Sequence, residues 1–264
     1  LLGTVPPRPT LERQHPMVLV QWGRAWHMLV DAGGGVVTQL LRAGLDLAGV
    51  TNLAHTHLHW DHILGYPAFV WGTWSYGRTM LTVTVPAGTT EMHQRLVESY
   101  YRDQAEWAID LGFPRAGFYD IHVRDVVSGW AEPIEGCRVE AGPVHHPPVE
   151  ALAFRFTYAG RSLVVSGDTA LSDSFVAFAK GADLMVADAC ASTPSPELPP
   201  ARQRLIERLR EFHATPRECV EMATRAGVKR LVLTHHLPGA NPDIEFTSYP
   251  GDVIVGNDLD RFEI

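Results

Sequence analysis

Four histidines and one aspartate lie within nine residues in the segment AHTHLHWDH, residues 54–62. In an extended chain alternate side chains share a face, so His57, His59 and Asp61 are expected to converge on one side. A tight turn would place His62 opposite them. Imidazole and carboxylate groups are the ligands that zinc prefers in catalytic sites. Because four ligands would leave one tetrahedral ion no useful open position, the spacing predicts two adjacent ions.

A site with two ions needs further ligands, and the sequence offers them at the ends of distant predicted elements. Histidine pairs follow two predicted strands, an aspartate ends a third strand, and one histidine precedes a predicted helix. These candidates are His145, His146, Asp168, His213, His235 and His236. Histidines scattered at random would not all lie at element ends, so their placement favours one shared centre.

A closed structural metal site is the alternative for the cluster, but such sites are usually rich in cysteine and this one contains none. His55 is in strand phase with His57 and is predicted to be a buried structural histidine rather than a ligand. Four further histidines have no partners in the sequence and are also predicted to be structural. They are His15, His27, His93 and His122.

Hydrophobic patterning predicts strands whose ends carry the candidate ligands. Residues 17–22 and 25–30 predict a hairpin, and residues 50–55 predict a strand that runs into the histidine cluster. Further strands are predicted at 79–88, 138–144, 151–158, 162–168, 183–188 and 230–236, and helices at 36–44, 90–108, 200–212 and 216–226. This order indicates an α/β fold with two sheets in the middle and helices outside, and such folds place their chemistry where strands end.

Length and composition are consistent with one domain spanning residues 1–264. The chain is 45% hydrophobic and 20% charged, which is enough apolar material for a large core and argues against disorder. Residues 70–130 form an insertion-like segment rich in tryptophan, tyrosine and phenylalanine. This segment is predicted to be a cap or a dimer surface, and a wall of the substrate pocket is an alternative compatible with both.

The net charge and the cysteines narrow the class of protein. A formal charge of −8 argues against a surface that wraps nucleic acid, although bound cations would still allow an anionic small substrate. Cys137, Cys190 and Cys219 are isolated in sequence and are predicted to be buried, inert thiols. No apolar run reaches the length of a membrane span and no signal peptide is visible. The compartment stays open, with the cytoplasm favoured.

The segment THLHWDH, residues 56–62, matches the T-H-x-H-x-D-H signature, and the chain resembles the metallo-β-lactamase superfamily. LVDAGGG (29–35), SGDT (166–169) and LTHH (233–236) extend this resemblance over nearly the whole chain. The opening LLGTVPPRPTLERQ and the later HATP resemble the ribonuclease Z and arylsulfatase-like branch. The resemblance implies a four-layer αββα sandwich, with two central mixed β-sheets and helices outside.

The resemblance also implies a ligand set for two zinc ions, with manganese or iron as alternative metals. The ligands implied for one ion are His57, His59 and His146, those for the other are Asp61, His62 and His235, and Asp168 would bridge both. His146 is preferred to His145, and His235 to His236, because of their positions after the preceding strands. Asp31 resembles an aspartate that supports the histidine loop without binding metal.

The implied reaction is hydrolysis by a hydroxide that bridges the two ions. Asp61 would orient this nucleophile or take its proton, and His213 would assist the leaving group. Asp188 stands where the branch has a glutamate and could still hold His213 with a shorter reach. Trp60, Trp71 and Trp74 predict an aromatic rim suited to a ring-bearing substrate, with packing in the core or a dimer as the alternative.

Three departures from the ribonuclease Z pattern bear on the substrate. Val5 replaces an expected glycine, the segment ADAC replaces a H-E-A-T motif, and no glycine- and proline-rich arm is visible. The sequence therefore favours a hydrolase of small phosphodiesters or aryl sulfate and phosphate esters, which is expected to be a homodimer. The alternative reactions are lactam or lactone hydrolysis and tRNA 3′ processing. The departures and the acidic charge disfavour nucleic acid as a partner. A non-enzymatic metal-binding module is disfavoured most.

Overall fold

A computed structural model describes residues 1–192, 197–236 and 249–264, and the first of its two sheets has five strands. The strands are β1 (Val18–Trp22), β2 (Trp26–Val30), β3 (Asn52–Ala54), β4 (Leu81–Pro86) and β5 (Ile121–Val126), and they are adjacent in that order. β1 and β2 form the predicted antiparallel hairpin, and the other neighbouring strands are parallel. The sheet is therefore mixed.

The second sheet has seven strands in the order β12-β11-β10-β9-β8-β7-β6. They are β6 (Ala131–Ile134), β7 (Cys137–Pro143), β8 (Leu152–Tyr158), β9 (Arg161–Val165), β10 (Leu184–Asp188), β11 (Arg230–Thr234) and β12 (Asp252–Val255). The strands from β9 to β12 are parallel, whereas those from β6 to β9 pair antiparallel. The carboxyl ends of β9, β10 and β11 therefore lie at one edge of this sheet.

Nine α-helices connect the strands of the described residues, together with a 3-10 turn at Leu47–Gly49. They are α1 (Val36–Arg42), α2 (Trp60–Ile63), α3 (Tyr66–Ser75), α4 (Thr89–His93), α5 (Arg102–Asp110), α6 (Ala116–Tyr119), α7 (Asp173–Phe178), α8 (Pro200–Leu209) and α9 (Pro216–Ala226). A π-helical segment, Gln94–Tyr100, lies between α4 and α5. No helix among the described residues is long and apolar enough to span a membrane.

The packing of apolar side chains gives four layers. Between the two sheets, residues such as Met28 and Val30 pack with Phe154 and Val186 of the second sheet. On its other face the first sheet packs against α1, α3 and α5, and the second sheet packs against α7 and α9. This arrangement of two mixed sheets with helices outside confirms the predicted αββα sandwich.

Several elements differ from the predicted ones. The helix expected at 90–108 is divided into α4, the π-helical segment and α5. Helix α3 was not predicted because its sequence YPAFVWGTWS is apolar on nearly all sides, so no helical period is visible. Residues 70–130 contribute β4 and β5 to the first sheet. The single-domain assignment and the role of this segment as a cap, a dimer surface or a pocket wall stay predictions.

Candidate metal centre

The histidine motif lies where β3 ends, but its geometry differs from the predicted extended segment. The chain is extended only as far as His59, which precedes the helical turn of α2. Asp61 and His62 therefore lie on a helical turn, and the expectation that Asp61 shares a strand face with His57 is wrong. Adjacent side chains in a helical turn do not alternate between two opposite faces as they do in a strand. Asp61 and His62 can therefore both point to the centre.

The other predicted ligands follow strands of the second sheet. His146 lies after β7, Asp168 after β9 and His235 directly after β11. The backbone at His235 has a φ of 60°, a left-handed conformation that is unfavourable for a histidine and is common at functional sites. Asp31, which follows β2, has a φ of 63°. Both strained residues direct their side chains to the same buried cluster.

The first ligand group contains His57, His59, His146 and Asp168, whose ligand atoms all lie within 4.8 Å of one another. The Asp168 Oδ2 atom lies 3.6 Å from His57 Nε2 and 3.9 Å from His146 Nε2. The ring nitrogens His59 Nδ1 and His146 Nε2 are 3.1 Å apart. The spacing suits several ligands around one small cation.

The second ligand group contains Asp61, His62 and His235, again with ligand atoms within 4.8 Å of one another. His235 Nε2 lies 3.4 Å from Asp61 Oδ2, and His62 Nε2 lies 3.3 Å from the Oδ1 atom of Asp168. The two oxygens of Asp168 thus face different groups. Asp168 would therefore be able to help hold a cation in either group.

Unsatisfied nitrogens provide a test of whether cations fit these groups. The Nε2 atoms of His57, His62 and His235 are buried and have no hydrogen-bond partner among the described residues. A buried polar atom without a partner costs about 1–3 kcal/mol, and a protein rarely leaves three of them together. Divalent cations between the groups would satisfy all three, so the residues present fit a metal centre.

Asp31 supports the second group through a hydrogen bond with His62. Its Oδ2 atom accepts hydrogen bonds from His62 Nδ1 at 2.8 Å and from the Thr56 hydroxyl at 2.8 Å, and its Oδ1 atom accepts the Thr56 backbone N–H. Burial raises the pKa of Asp31, but His62 and His55 outweigh it and hold the pKa well below its usual range. An ionised Asp31 fixes His62 with Nε2 directed at the centre.

Asp188 makes the corresponding contacts on the opposite side of the centre. Its Oδ2 atom accepts a hydrogen bond from His213 Nδ1 at 2.8 Å, and its Oδ1 atom accepts one from His235 Nδ1 at 3.1 Å. The backbone N–H groups of Thr169 and Cys190 also donate to this carboxylate. The shorter aspartate therefore reaches His213, and the same carboxylate orients His235 as well.

The protonation of His213 follows from these neighbours. Burial lowers the pKa of His213, but the carboxylates of Asp188 and Asp168 outweigh burial and raise the pKa above 6.5. The His213 Nδ1 atom lies 3.8 Å from Asp168 Oδ2, so the imidazole adjoins the centre. Such a histidine is suited to donating a proton near neutral pH.

The alternative histidines lie outside both ligand groups. His145 is exposed, whereas the adjacent His146 is buried in the first group. His236 bonds the Leu233 carbonyl through Nε2 at 2.9 Å, and burial lowers its pKa to about 4. His55 is fully buried beside the ring of Tyr66, at a centroid distance of 5.4 Å.

Two residues that the sequence analysis assigned no part in the site, Cys190 and His15, lie near the centre. Cys190 is buried and has its sulfur within 4.8 Å of ligand atoms of Asp188, His213 and His235. Burial raises the pKa of its thiol, which disfavours the thiolate form that binds metals. His15 lies against Trp60 because a bridge between Gly3 and Met17 returns the first residues to the motif. No local pattern marks His15, since the bridge is a tertiary contact.

The predicted aromatic rim is only partly a rim. Trp60 is 50% exposed beside the centre, and Trp71 is half-buried. Trp74 is fully buried, packs against Trp71 and Phe118, and donates its indole N–H to the Pro114 carbonyl. Trp74 therefore belongs to the core, as the alternative interpretation of these tryptophans expected.

Comparison with known proteins identifies the family. A model of the beta-lactamase superfamily domain matches residues 27–236. The chain belongs to the metallo-β-lactamase superfamily. Within it, the ribonuclease Z of Mycobacterium bovis is 31% identical over 282 residues, which cover 100% of this chain and 97% of that protein. The ribonuclease Z of Mycobacterium sp. strain KMS is 33% identical over 281 residues, covering 100% and 95%.

Solved structures show the same superfamily fold. The metallo-beta-lactamase fold protein YhfI from Bacillus subtilis has a TM-score of 0.76 at 18% identity, covering 97% of this chain and 95% of that chain. The short form of human tRNase Z has a TM-score of 0.69 at 21% identity, covering 98% and 95%. Together with the family match and the His/Asp groups, the curated relatives place the chain in the ribonuclease Z branch as a metal-dependent hydrolase.

Proposed function

We propose that this chain is an endoribonuclease that hydrolyses a phosphodiester bond of RNA, with the 3′ end of precursor tRNA as its substrate. The observation that carries the proposal is the similarity to proteins named ribonuclease Z along the entire chain, at 31–33% identity. These relatives favour an RNA substrate over the small ester expected from the sequence. The acidic net charge of −8 then requires that cations at the centre attract the phosphate.

Two zinc ions are proposed as the metals, since histidine and aspartate groups with an open position are typical of catalytic zinc. One ion would be held by the first ligand group and the other by the second group, with Asp168 shared. When bound, such a pair supplies positive charge and lowers the pKa of a coordinated water toward neutrality. The homodimer expected from the resemblance stays a prediction.

Asp61 and His213 are proposed to take different parts in proton transfer. Asp61 lies in the second group with one oxygen facing His235, and its other oxygen can accept a hydrogen bond that orients the nucleophile. On the opposite side, Asp188 holds the Nδ1–H of His213, so the Nε2–H of the imidazolium can point to the leaving oxygen. His213 would donate this proton as the bond between phosphorus and oxygen breaks.

Asp188 makes this donation effective in two ways. The ionised carboxylate fixes the orientation of the imidazole and stabilises its protonated form, as a carboxylate partner does for a catalytic histidine. Asp188 is itself buried, and its pKa stays low because His213 and a hydrogen bond from it offset the burial. The proposed acid therefore depends on a residue that need not touch the substrate.

A second candidate function is hydrolysis of small phosphate or aryl sulfate esters. The observation that favours it is the net charge of −8, which is unusual for a protein that binds a long polyanion. Lactam and lactone hydrolysis use the same type of centre, and their amine and alkoxide leaving groups also take up a proton. These substrates serve as comparisons in the same assay.

The test uses a precursor tRNA with a 3′ extension and the zinc-loaded protein. We expect one cut near the end of the acceptor stem, no cut after chelation of the metal, and recovery when zinc is restored. Bis(4-nitrophenyl) phosphate, an aryl sulfate, a lactone and a β-lactam are assayed in parallel. Efficient turnover of one small substrate with no cleavage of the precursor would contradict an RNA substrate and support the second candidate.

A further inference from the structure

Trp60 is an exposed indole in a buried setting. It stands between the predicted ligands His59 and Asp61, and the two following residues of its helical turn, Asp61 and His62, are buried. Half of the Trp60 surface nevertheless remains accessible. The indole therefore offers a free aromatic face next to residues of the centre.

His15 holds Trp60 from one side. The two rings meet edge to face, with their centroids 5.3 Å apart and an interplanar angle of 90°. His15 is buried, and its Nδ1 atom accepts the backbone N–H of Gly34 at 3.1 Å, which fixes the imidazole. The contact leaves Trp60 ordered but not enclosed, as a stacking surface must be.

Beyond Trp60 a groove of about 650 Å³ opens between α3 and the segment that leads into α5. Its walls are apolar and aromatic, and they include Leu64, Pro67, Trp71 and Tyr101. Among the described residues, no charged side chain lines the groove, while Gln104 contributes an amide that can both donate and accept hydrogen bonds. A volume of this size is within the range of sites for small organic groups.

These features define the chemistry of the occupant. A phosphate would have no cationic partner among the described residues of the groove. An aliphatic chain would leave the Gln104 amide without a hydrogen-bond partner. A flat, uncharged heteroaromatic ring fits both the aromatic walls and the amide, because stacking on tryptophan tolerates any base and amides recognise base edges. Trp60 lines the groove and is flanked in the chain by His59 and Asp61 of the two ligand groups. A base in the groove would be joined to the reacting phosphate through its ribose.

On the basis of the proposed function, we propose that this groove binds a nucleobase of the RNA next to the scissile phosphate, stacked on Trp60. The phosphate would lie at the centre while the base enters the groove. Trp60 is then a specificity-determining residue, and His15 is a positioning residue that acts through it.

The test measures how much the base adds to binding. Adenosine 5′-monophosphate and ribose 5-phosphate present the same phosphate to the zinc-loaded protein, and only the first carries a base. We expect calorimetry to show about tenfold to a hundredfold tighter binding of the nucleotide, the range that one stacked base provides. Trp60→Leu should reduce this ratio to near one, whereas Trp60→Phe should retain most of it because it keeps an aromatic face.

Trp107→Leu is the matched control, since Trp107 is 66% exposed on α5 and does not line the groove. Its ratio should equal that of the unchanged protein. An equal affinity for the two phosphates, or a ratio that survives Trp60→Leu, would overturn the proposal. So would a shift from dimer to monomer in sedimentation of Trp60→Leu, because a second copy of the chain would then cover the groove.

Failure of this inference is distinguishable from failure of the proposed function. If the protein prefers the nucleotide but does not cut precursor tRNA, the base-binding groove is supported and the proposed substrate is wrong. If the protein cuts precursor tRNA but binds adenosine 5′-monophosphate and ribose 5-phosphate equally, the proposed substrate is supported and the base-binding groove is wrong.

Discussion

The two ligand groups of the centre are supported by different kinds of partner. In the second group, His62 and His235 each present Nδ1 to a buried carboxylate, Asp31 at 2.8 Å and Asp188 at 3.1 Å. In the first group, His57 Nδ1 faces a hydroxyl, that of Thr56 at 3.0 Å, and His146 Nδ1 faces a backbone carbonyl, that of Phe212 at 3.0 Å. The first group thus relies on neutral partners and the second on charged ones.

The groups also differ in accessibility. His59 of the first group is partly exposed, whereas the three residues of the second group are all buried. Because a carboxylate partner makes an imidazole a stronger ligand, we expect the second group to hold its cation more tightly. The first group, with neutral support and a more open side, is expected to exchange its cation first.

Loss of Asp168, which faces both ligand groups, should remove both metal sites and with them the difference in affinity between the groups. Asp168→Asn keeps the size of the side chain but removes the charge that faces both groups through Oδ1 and Oδ2. We expect the bound metal to fall to a small fraction of two equivalents and RNA cleavage to become undetectable. Elemental analysis after gel filtration measures the first effect, and retention of both ions would remove Asp168 from the bridging position.

Substitution of His213 should separate catalysis from metal binding. Because His213 is assigned to proton donation and not to either ion, His213→Ala should keep two equivalents of metal and lower kcat by about 10²–10⁴-fold. The precursor tRNA assay and metal analysis are made on the same preparation. Loss of one equivalent of metal in this variant would instead assign His213 as a ligand.

Removal of a charged support should weaken one site selectively. Asp31→Asn replaces the carboxylate behind His62, so the cation of the second group should bind about 10–100-fold more weakly. Competition with a metal chelator resolves the two affinities, and the first group provides the internal control. Equal weakening of both sites would show that the supports do not act separately.

Removal of a neutral support should have a smaller effect. Thr56→Val deletes the hydroxyl beside His57 while keeping the shape of the side chain. The same hydroxyl donates to Asp31, but the variant leaves the Asp31 carboxylate and its contact with His62 in place. A neutral hydrogen bond is worth about 1 kcal/mol, which corresponds to roughly fivefold in affinity of the first group. A loss as large as that in Asp31→Asn would contradict the distinction between charged and neutral supports.

The pH dependence should report the carboxylate that supports His213. Only the protonated imidazole can donate, so kcat should fall as the pH rises through the pKa of His213, which lies above 6.5. Asp188→Asn removes a negative charge at 2.8 Å and should move this decline to lower pH. A kcat profile of precursor cleavage measures the shift, and an unmoved alkaline limb would separate Asp188 from the acid.

The fold could be predicted from the sequence where periodicity and motif agree. The hairpin of β1 and β2, the buried strands β8 to β11 and the αββα layers were all indicated by pattern or resemblance. By contrast, β5 (IHVRDV) is only partly buried, so its pattern is weak, and α3 is apolar on nearly every side. Elements of this kind are defined by tertiary packing, which local periodicity does not report.

The candidate site could be predicted as a set of residues but not as a geometry. The motif indicated His57 and Asp61, yet only the structure shows that a helical turn begins after His59. Asp188 was expected to hold His213, and its second contact, to His235, depends on the parallel pairing of β10 with β11. His15 was expected to be structural, but its position beside Trp60 could not be predicted because the contact is made through the fold.

Anomalous diffraction from crystals of the zinc-loaded protein at the zinc edge tests the two-group centre most directly. Two peaks are expected, one among His57, His59 and His146 and one among Asp61, His62 and His235, with Asp168 between them. The peaks should be about 3.5–4 Å apart, as in other two-metal sites. A single peak, or a peak within the group of Asp188, Cys190 and His213, would contradict this assignment.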